Sequence, residues 1–93
     1  MSEETAYYDR VMDYHATFSA GRGRNVLNDL RAQYQRRSSF VPGDPQATAF
    51  REGQRDVVLA IEAMLATAED KEFSPQSVRE YFNTTEEENA DGY

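Results

Sequence analysis

Residues 44–65, which decide the fold, are Asp44-Pro45-Gln46-Ala47-Thr48-Ala49-Phe50-Arg51-Glu52-Gly53-Gln54-Arg55-Asp56-Val57-Val58-Leu59-Ala60-Ile61-Glu62-Ala63-Met64-Leu65. Asp44 can accept hydrogen bonds from the first free backbone N–H groups, and Pro45 fits the first helical position, where an N–H is not needed. Apolar side chains recur at steps of three, four and seven, at Phe50, Val57, Val58, Ile61, Met64 and Leu65. The pattern predicts one long amphipathic helix whose apolar side needs a partner surface.

Charged side chains occupy the same turns of this helix, at Arg51, Glu52, Arg55 and Asp56. Pairs three or four residues apart meet on a helix surface, so we expect surface ion pairs among them. Glu52 and Asp56 are four residues apart and could share a metal ion with other acids. The flanking arginines offer a simpler neutralisation, so no metal site is predicted.

The N-terminal segment predicts a first helix that Ser2 caps and that ends near Phe18. Its apolar side is rich in aromatic residues, with Tyr7, Tyr8, Val11, Tyr14, His15 and Phe18 on or near one face. Tyrosine buries its ring while its hydroxyl stays available to water or a partner. We therefore expect a helix at the edge of the core, with Tyr7 and Tyr8 as candidate partner-binding residues. His15 is expected to be packed or half-exposed, since no second histidine accompanies it.

The next segment predicts a second helix over about residues 20–36, capped by Ser19. Its apolar face combines Val26, Leu27, Leu30 and Tyr34. The glycines at its start, Gly21 and Gly23, match neither common phosphate-loop motif, so one of them is expected to let a neighbouring backbone approach closely. Gly23 is the residue that we assign this structural role.

The remaining segments complete an all-α prediction. Phe40 and Val41, in the connector before Asp44, are apolar enough to fold back on the core. Ser74-Pro75 repeats the arrangement of Asp44-Pro45 and predicts a short fourth helix over Pro75–Phe82. The expected fold is a small bundle of three main helices plus this fourth one. Residues 1–82 form a single helical domain, and residues 83–93 form an acidic C-terminal tail without apolar periodicity.

Composition limits the function classes. Ninety-three residues form one domain with little room for a deep pocket beside the core. The chain has no cysteine and one histidine, and no known catalytic motif occurs, so neither an enzyme, a cofactor nor a metal site is expected. No apolar run approaches the roughly 20 residues that span a bilayer, and the N-terminus lacks the order of a signal peptide. We expect a protein that is neither membrane-bound nor exported.

The net charge of −7 disfavours direct nucleic-acid binding, which depends on neutralising phosphates. The charge is unevenly distributed, because residues 22–37 carry five arginines against Asp29 alone. Such polarity suits a charged protein partner, or self-association in which this basic stripe meets an acidic face of another copy. The candidate partner-binding residues of the stripe are Arg22, Arg24, Arg31, Arg36 and Arg37.

A family resemblance rests on several of these residues: Phe18, Gly23-x-x-Val26-Leu27-x-x-Leu30, and the run from Phe40 to Ile61. Together they resemble a family of small tailed-phage proteins whose type member comes from a Bordetella podophage. The likeness covers about residues 18–65, and its most specific part is Thr48-Ala49-Phe50-Arg51-Glu52-Gly53-Gln54-Arg55-Asp56. Members are short helical proteins encoded among virion and DNA-packaging genes. The resemblance implies a virion or assembly role and carries over no catalytic residue.

Two further structural roles follow beside this resemblance. Gly53 lies in mid-helix, where glycine costs roughly 1 kcal/mol relative to alanine, so we expect it to mark a helix crossing. Arg51 and Arg55 are expected to anchor the Phe40–Asp44 connector by bonding its carbonyl groups, in preference to contacting a partner. Asp44, Pro45 and Phe50 complete the set of predicted structural residues.

The leading functional expectation is a non-enzymatic phage protein of the virion or its assembly. It docks on other virion proteins, plausibly in several copies around the portal or tail, and resides in the virion and the host cytoplasm. The alternative is a small acidic phage regulator that inhibits a host nucleic-acid enzyme or defence system. A third hypothesis is helix-turn-helix DNA binding by residues 20–36, which predicts salt-sensitive affinity.

Overall fold

The computed structural model describes the backbone of residues 2–91 and the side chains of residues 2–84. Over this range the chain is helical and contains no β-strand, so the predicted all-α class is confirmed. The elements are α1 (Glu3–Phe18), α2 (Gly21–Leu30), a π-helical turn (Arg31–Gln35), α3 (Pro45–Glu69) and α4 (Pro75–Asp91). None of the helices within the described range is long and apolar enough to cross a membrane.

Three helix starts are confirmed because side-chain acceptors satisfy the free N–H groups there. The Thr5 N–H donates to the Ser2 hydroxyl at 3.3 Å, and the Ala47 N–H donates to the Asp44 carboxylate at 3.0 Å. At the start of α4 the Ser77 N–H donates to the Ser74 hydroxyl at 3.0 Å. These bonds are local in sequence, which is why the sequence predicts them.

The start of α2 differs from the prediction. Ser19 does not cap this helix; its N–H donates to the His15 carbonyl at 3.0 Å and ends α1. Ala20 occupies the N-cap position without a side-chain bond. Gly21 then adopts a φ of +62°, a left-handed conformation that is accessible to glycine, and this turns the chain sharply into α2.

The second predicted helix also changes its winding. After Leu30 the chain forms a π-helical turn, in which the Arg36 N–H donates to the Arg31 carbonyl five residues earlier at 3.0 Å. Such wide turns are rare and the apolar spacing does not signal them. The prediction of one regular helix over residues 20–36 is therefore wrong in its last part.

Two helices extend further than predicted. α3 continues past Leu65 to Glu69, and α4 continues past Phe82 to Asp91. The added residues are rich in alanine and glutamate, which favour helix without requiring an apolar face. Helix α4 thus enters the segment predicted as an acidic tail, whose last two residues lie outside the described range.

The core is small. Its buried apolar side chains are Val11, Leu27, Val58, Ile61, Leu65 and Val78. Helix α1 packs against α2, α3 and α4, so the aromatic-rich helix is central and does not lie at the edge. The accessible surface is 7023 Å², whereas a typical monomer of this mass exposes about 5500 Å². The radius of gyration is 17.2 Å, against about 12 Å for a compact domain of this length.

Several apolar residues that were expected in the core lie on the surface instead. Val26 is 51% exposed, because one residue along a helix turns its side chain about 100° away from the buried Leu27. Phe40 is 67% exposed, since the connector holds only its neighbour Val41 in a half-buried position. The expectation that Phe40 folds back on the core is therefore wrong.

The connector before α3 is held by hydroxyl groups. The Val41 N–H donates to the Thr48 hydroxyl at 2.9 Å, and the Ser39 hydroxyl donates to the Glu52 carboxylate. The predicted anchoring by Arg51 and Arg55 is wrong, because neither arginine bonds a connector carbonyl. The connector is held to α3 by the bonds to Thr48 and Glu52 instead. Glu52 is also engaged by Ser39 and not by a neighbouring arginine of α3.

Gly23 lies where α2 passes closest to α1. A Cβ atom at this position would stand 1.6 Å from the Thr17 carbonyl oxygen and 2.7 Å from the Thr17 carbonyl carbon. Any side chain would therefore overlap backbone atoms that cannot rotate away. The close backbone approach expected at this glycine is present in the structure.

Gly53 lies in a different environment. A Cβ atom there would meet no atom within 4 Å, and the residue is exposed. The predicted helix crossing at Gly53 is therefore wrong within this chain, because the segments that pack on α3 lie on other sides of the helix. A mid-helix glycine that faces open space carries its conformational cost without an intramolecular contact to explain it.

Candidate docking surface

One side of α3 carries an exposed apolar stripe, which we call the outer flank. Its members follow one another at steps of three and four residues, namely Phe50, Gly53, Val57, Ala60 and Met64. Phe50 is 69% exposed and Val57 is 62% exposed, whereas Met64 is half-buried. This three-four spacing is the one by which helices pair in coiled coils.

The outer flank divides the apolar stripe that the sequence predicts for α3 into a buried part and an exposed part. The buried strip consists of Val58, Ile61 and Leu65. Phe50 and Val57 lie to one side of this strip, beyond the part that α1 and the π-helical turn cover. The apolar arc of α3 is therefore wider than the surface that this chain packs against it.

A groove runs beside the outer flank, between α3 and α1. It encloses about 430 Å³ and is lined by Asp13, Tyr14, Thr17 and Phe18 from α1 and by Val57, Ala60 and Ile61 from α3. A second depression of about 350 Å³ lies at the start of α3, where Phe40, Val41, Pro45, Thr48 and Ala49 line it. Apolar surface is thus exposed at two places along α3, at its first turns and beside Val57 and Ala60.

Small residues recur one heptad apart on the outer flank, at Gly53 and Ala60. Both are exposed, and the space over Gly53 is empty. Small residues at paired-helix positions let two backbones approach closely. The flank therefore has the shape of a shallow seat for another helix, with bulky side chains at Phe50 and Val57 on either side of Gly53.

Two exposed carboxylates border this seat. Asp13 lines the groove from α1, and Asp56 lies on α3 between Gly53 and Ala60, one helical turn from each. An apolar floor with a polar rim is the usual arrangement of a protein–protein interface. These acids favour a partner with basic residues beside its apolar side chains.

The tyrosines predicted to bind a partner contact rings of their own chain. Tyr8 stacks on Phe73 with ring centroids 5.2 Å apart, and Tyr7 lies 6.0 Å from Phe82. Both tyrosines are half-buried. Their rings fix α1 against α4 and the turn that precedes it. Their partner contact stays a prediction.

The arginines of the basic stripe divide into two groups. Arg31 is tied to α3, because its Nε donates to Glu62 at 2.6 Å and its Nη1 donates to Asn28 at 3.0 Å. Gln35 also donates to Glu62, at 2.9 Å. The other four arginines, Arg22, Arg24, Arg36 and Arg37, are exposed. Their role toward a partner stays a prediction, whereas Arg31 has a structural role.

Glu62 therefore joins the π-helical turn to α3 through two side chains. Replacing Glu62 with alanine is expected to lower the free energy of unfolding by about 1–3 kcal/mol, because it leaves the part-buried Arg31 without its carboxylate. Thermal unfolding of the purified chain measures this. The control is Glu69→Ala, an exposed acid of the same helix, which should change stability by less than about 0.5 kcal/mol. Equal losses of stability in Glu62→Ala and Glu69→Ala would contradict a stabilising role for the bonds to Glu62.

The ion pairs expected within α3 do not form. In the part of the chain whose side chains are described, the ion pair is the one between Arg31 and Glu62. No group of three or more acids or histidines in that same part is arranged to hold a metal ion.

The outer flank lies in a segment that is shared with other proteins. Residues 14–74 match the family model described as Bbp19-like phage protein. The chain belongs to this family. The Bbp19-like segment begins in the second half of α1 and includes α2, the π-helical turn and all of α3, so it contains the outer flank and all of the groove lining except Asp13. It is wider than the resemblance over residues 18–65. No curated protein and no solved structure matched the chain.

The family segment leaves out Tyr7, Tyr8 and α4. Three features of the Bbp19-like chain lie within the segment. They are the close α1–α2 junction at Gly23, the hydrogen bonds of Arg31 and Gln35 to Glu62, and the outer flank. Sequence reasoning missed the flank as a separate surface because it placed the apolar residues of α3 in one stripe with one partner surface. The signal that could have found it is the continuous three-four spacing through Gly53 and Ala60.

Proposed function

We propose that this phage protein is a non-enzymatic part of the virion or of its assembly, and that it docks on another particle component. The observation that carries the proposal is the outer flank of α3, an exposed stripe with helix-pairing spacing inside the family segment. Within the particle, the family resemblance favours a position at the portal or tail. The protein then resides in the host cytoplasm during assembly and in the particle afterwards.

Burial of the outer flank provides a driving force for docking. Covering an exposed valine or phenylalanine side chain contributes roughly 1.5–3 kcal/mol, and Phe50 and Val57 are both mostly exposed. A chain that forms so small a core leaves apolar surface for another protein to cover.

The proposed occupant is an amphipathic helix of another phage protein with basic residues beside its apolar stripe. Asp13 and Asp56 support this choice, because opposite charges at the rim speed association and exclude wrong partners. A second copy seated through the same flank would present the same acids and no basic residue of that flank. A different phage protein therefore suits the surface better than a second copy does.

Analysis of purified particles tests the proposal. We expect mass spectrometry to detect the wild-type chain in virions or assembly intermediates, and to detect little of a Phe50→Ser, Val57→Ser double variant. The matched control is Val26→Ser, which removes an exposed valine outside the flank and should leave incorporation unchanged.

Absence of the wild-type chain from both virions and intermediates would refute an assembly role. An inhibitor of a host enzyme or defence system would instead change host growth when the chain is expressed without the phage. DNA binding would appear as a salt-sensitive mobility shift. An assembly protein is expected to give neither effect.

A further inference from the structure

A small polar depression lies between the π-helical turn, the connector and α3, and we call it the arginine pit. Its lining combines two guanidinium groups with hydroxyl and amide groups, from Gln33, Tyr34, Arg37, Ser38, Ser39, Arg51 and Gln54. Arg37 follows the π-helical turn, whereas Arg51 belongs to α3. The fold therefore brings together two positive charges that are distant in sequence, and no carboxylate lines the pit.

Among the described side chains, no carboxylate pairs with the two charges of the pit. Among the residues whose side chains are described, the guanidinium groups of Arg37 and Arg51 form no hydrogen bond and no ion pair. Two acids bond to neutral residues that line the pit, since Glu52 accepts from Ser39 and Asp29 accepts from Gln33 at 2.6 Å, and neither pairs with Arg37 or Arg51. Arg31 shows the contrast, because it is bound by Glu62.

The size of the pit limits what it can bind. Its volume of about 10 Å³ is roughly that of one water molecule, so it cannot enclose a nucleotide or a free polyanion. A flat carboxylate laid across its mouth fits better, because guanidinium groups bind carboxylates through pairs of parallel hydrogen bonds. The net charge of −7 also opposes approach of a nucleic acid.

We propose that Arg37 and Arg51 bind a glutamate or aspartate side chain of an acidic segment on another protein. Arg51 is half-buried and so acts where water screens charge less, whereas Arg37 is exposed and adds a weaker contact. The hydroxyl groups of Ser38 and Tyr34 can donate to the same carboxylate. This site is separate from the outer flank and does not depend on the proposed docking there.

Titration of the full chain with a fluorescein-labelled polyglutamate peptide at low salt tests the site. We expect Arg51→Gln to weaken binding by roughly tenfold and Arg37→Gln by a smaller factor, as loss of charge-assisted hydrogen bonds implies. The control Arg24→Gln removes the same charge from an exposed position outside the pit. It should change the affinity by less than about twofold, as expected for a distant screened charge.

Arg51→Lys keeps the positive charge but removes the paired N–H donors of the guanidinium, so it tests which of the two the site needs. A bidentate site predicts that lysine restores little of the binding, because ammonium cannot form two parallel bonds. Full binding by Arg51→Lys, equal losses in Arg24→Gln and Arg51→Gln, or no binding of the peptide would overturn the proposal. So would stronger competition by a single-stranded oligonucleotide than by unlabelled polyglutamate. If Arg51→Gln fails to unfold cooperatively, the exposed Arg37→Gln provides the same comparison.

Discussion

Replacing Gly23 with alanine is expected to lower the free energy of unfolding by about 3 kcal/mol or more, the upper end of overpacking effects. The added Cβ would stand 1.6 Å from the Thr17 carbonyl oxygen. That oxygen belongs to the backbone of α1, and the position of the Cβ is fixed by the backbone of α2, so neither atom can rotate away. Helices α1 and α2 would have to separate, which would also disturb the buried Leu27. The thermal midpoint should fall by more than about 10 °C in a domain of this size.

The control for this experiment is Asn25→Ala, an exposed change to a better helix former on the same helix. It should leave the midpoint unchanged or raise it slightly. A Gly23→Ala variant that unfolds at the wild-type temperature would show that α1 and α2 do not approach each other so closely. The junction between the two helices would then need a different explanation.

Gly53→Leu is expected to produce the opposite combination, a stable chain that no longer docks. Nothing lies within 4 Å of the added Cβ, so the isolated protein should gain up to about 1 kcal/mol from the better helix propensity of leucine. On the outer flank the new side chain would occupy the place where a partner backbone approaches. Incorporation into particles should therefore be lost.

Ala66→Leu is the matched control for Gly53→Leu. Ala66 is an exposed small residue of the same helix and lies on its far side, about 140° around the axis from Gly53. Its substitution should preserve both stability and incorporation. A Gly53→Leu chain that enters particles as efficiently as Ala66→Leu would contradict docking at the flank, and a lowered midpoint would contradict the open space over Gly53.

Helix starts were predictable because their determinants are local. Asp44 bonds the N–H group three residues later, and Ser74 does the same at the start of α4. A short sequence pattern contains all the atoms involved. The starts of α1, α3 and α4 and the all-α class follow from such patterns, whereas α2 begins on the left-handed Gly21 and was misassigned to a cap at Ser19.

The burial of apolar residues was less predictable because it depends on where other helices lie. The apolar arc of α3 contains both Ile61, which is buried, and Val57, which is 62% exposed. Periodicity predicts which side of α3 is apolar, but the position of α1 decides which part of that side is buried in the core. The same dependence explains why Gly53 was assigned to a crossing within the chain and Phe40 to the core.

The sequence predicts individual residues of the candidate sites but not which of them lie together in the fold. The arginines of residues 22–37 were recognised as a stripe, yet their separation into the paired Arg31 and the pit residue Arg37 requires the π-helical turn and α3. Arg51 was assigned to the connector, whereas it lines the pit with Arg37. Convergence of residues that are distant in sequence is a property of the tertiary structure.

Photo-crosslinking during infection tests docking at the outer flank most directly. A photoreactive amino acid replaces Val57 in one variant and Ala66, on the far side of α3, in another, and illuminated assembly intermediates are analysed by mass spectrometry. We expect the Val57 variant to form an adduct with a helical segment of another phage particle protein and the Ala66 variant to form none. No adduct from Val57, or the same adducts from both positions, would contradict it.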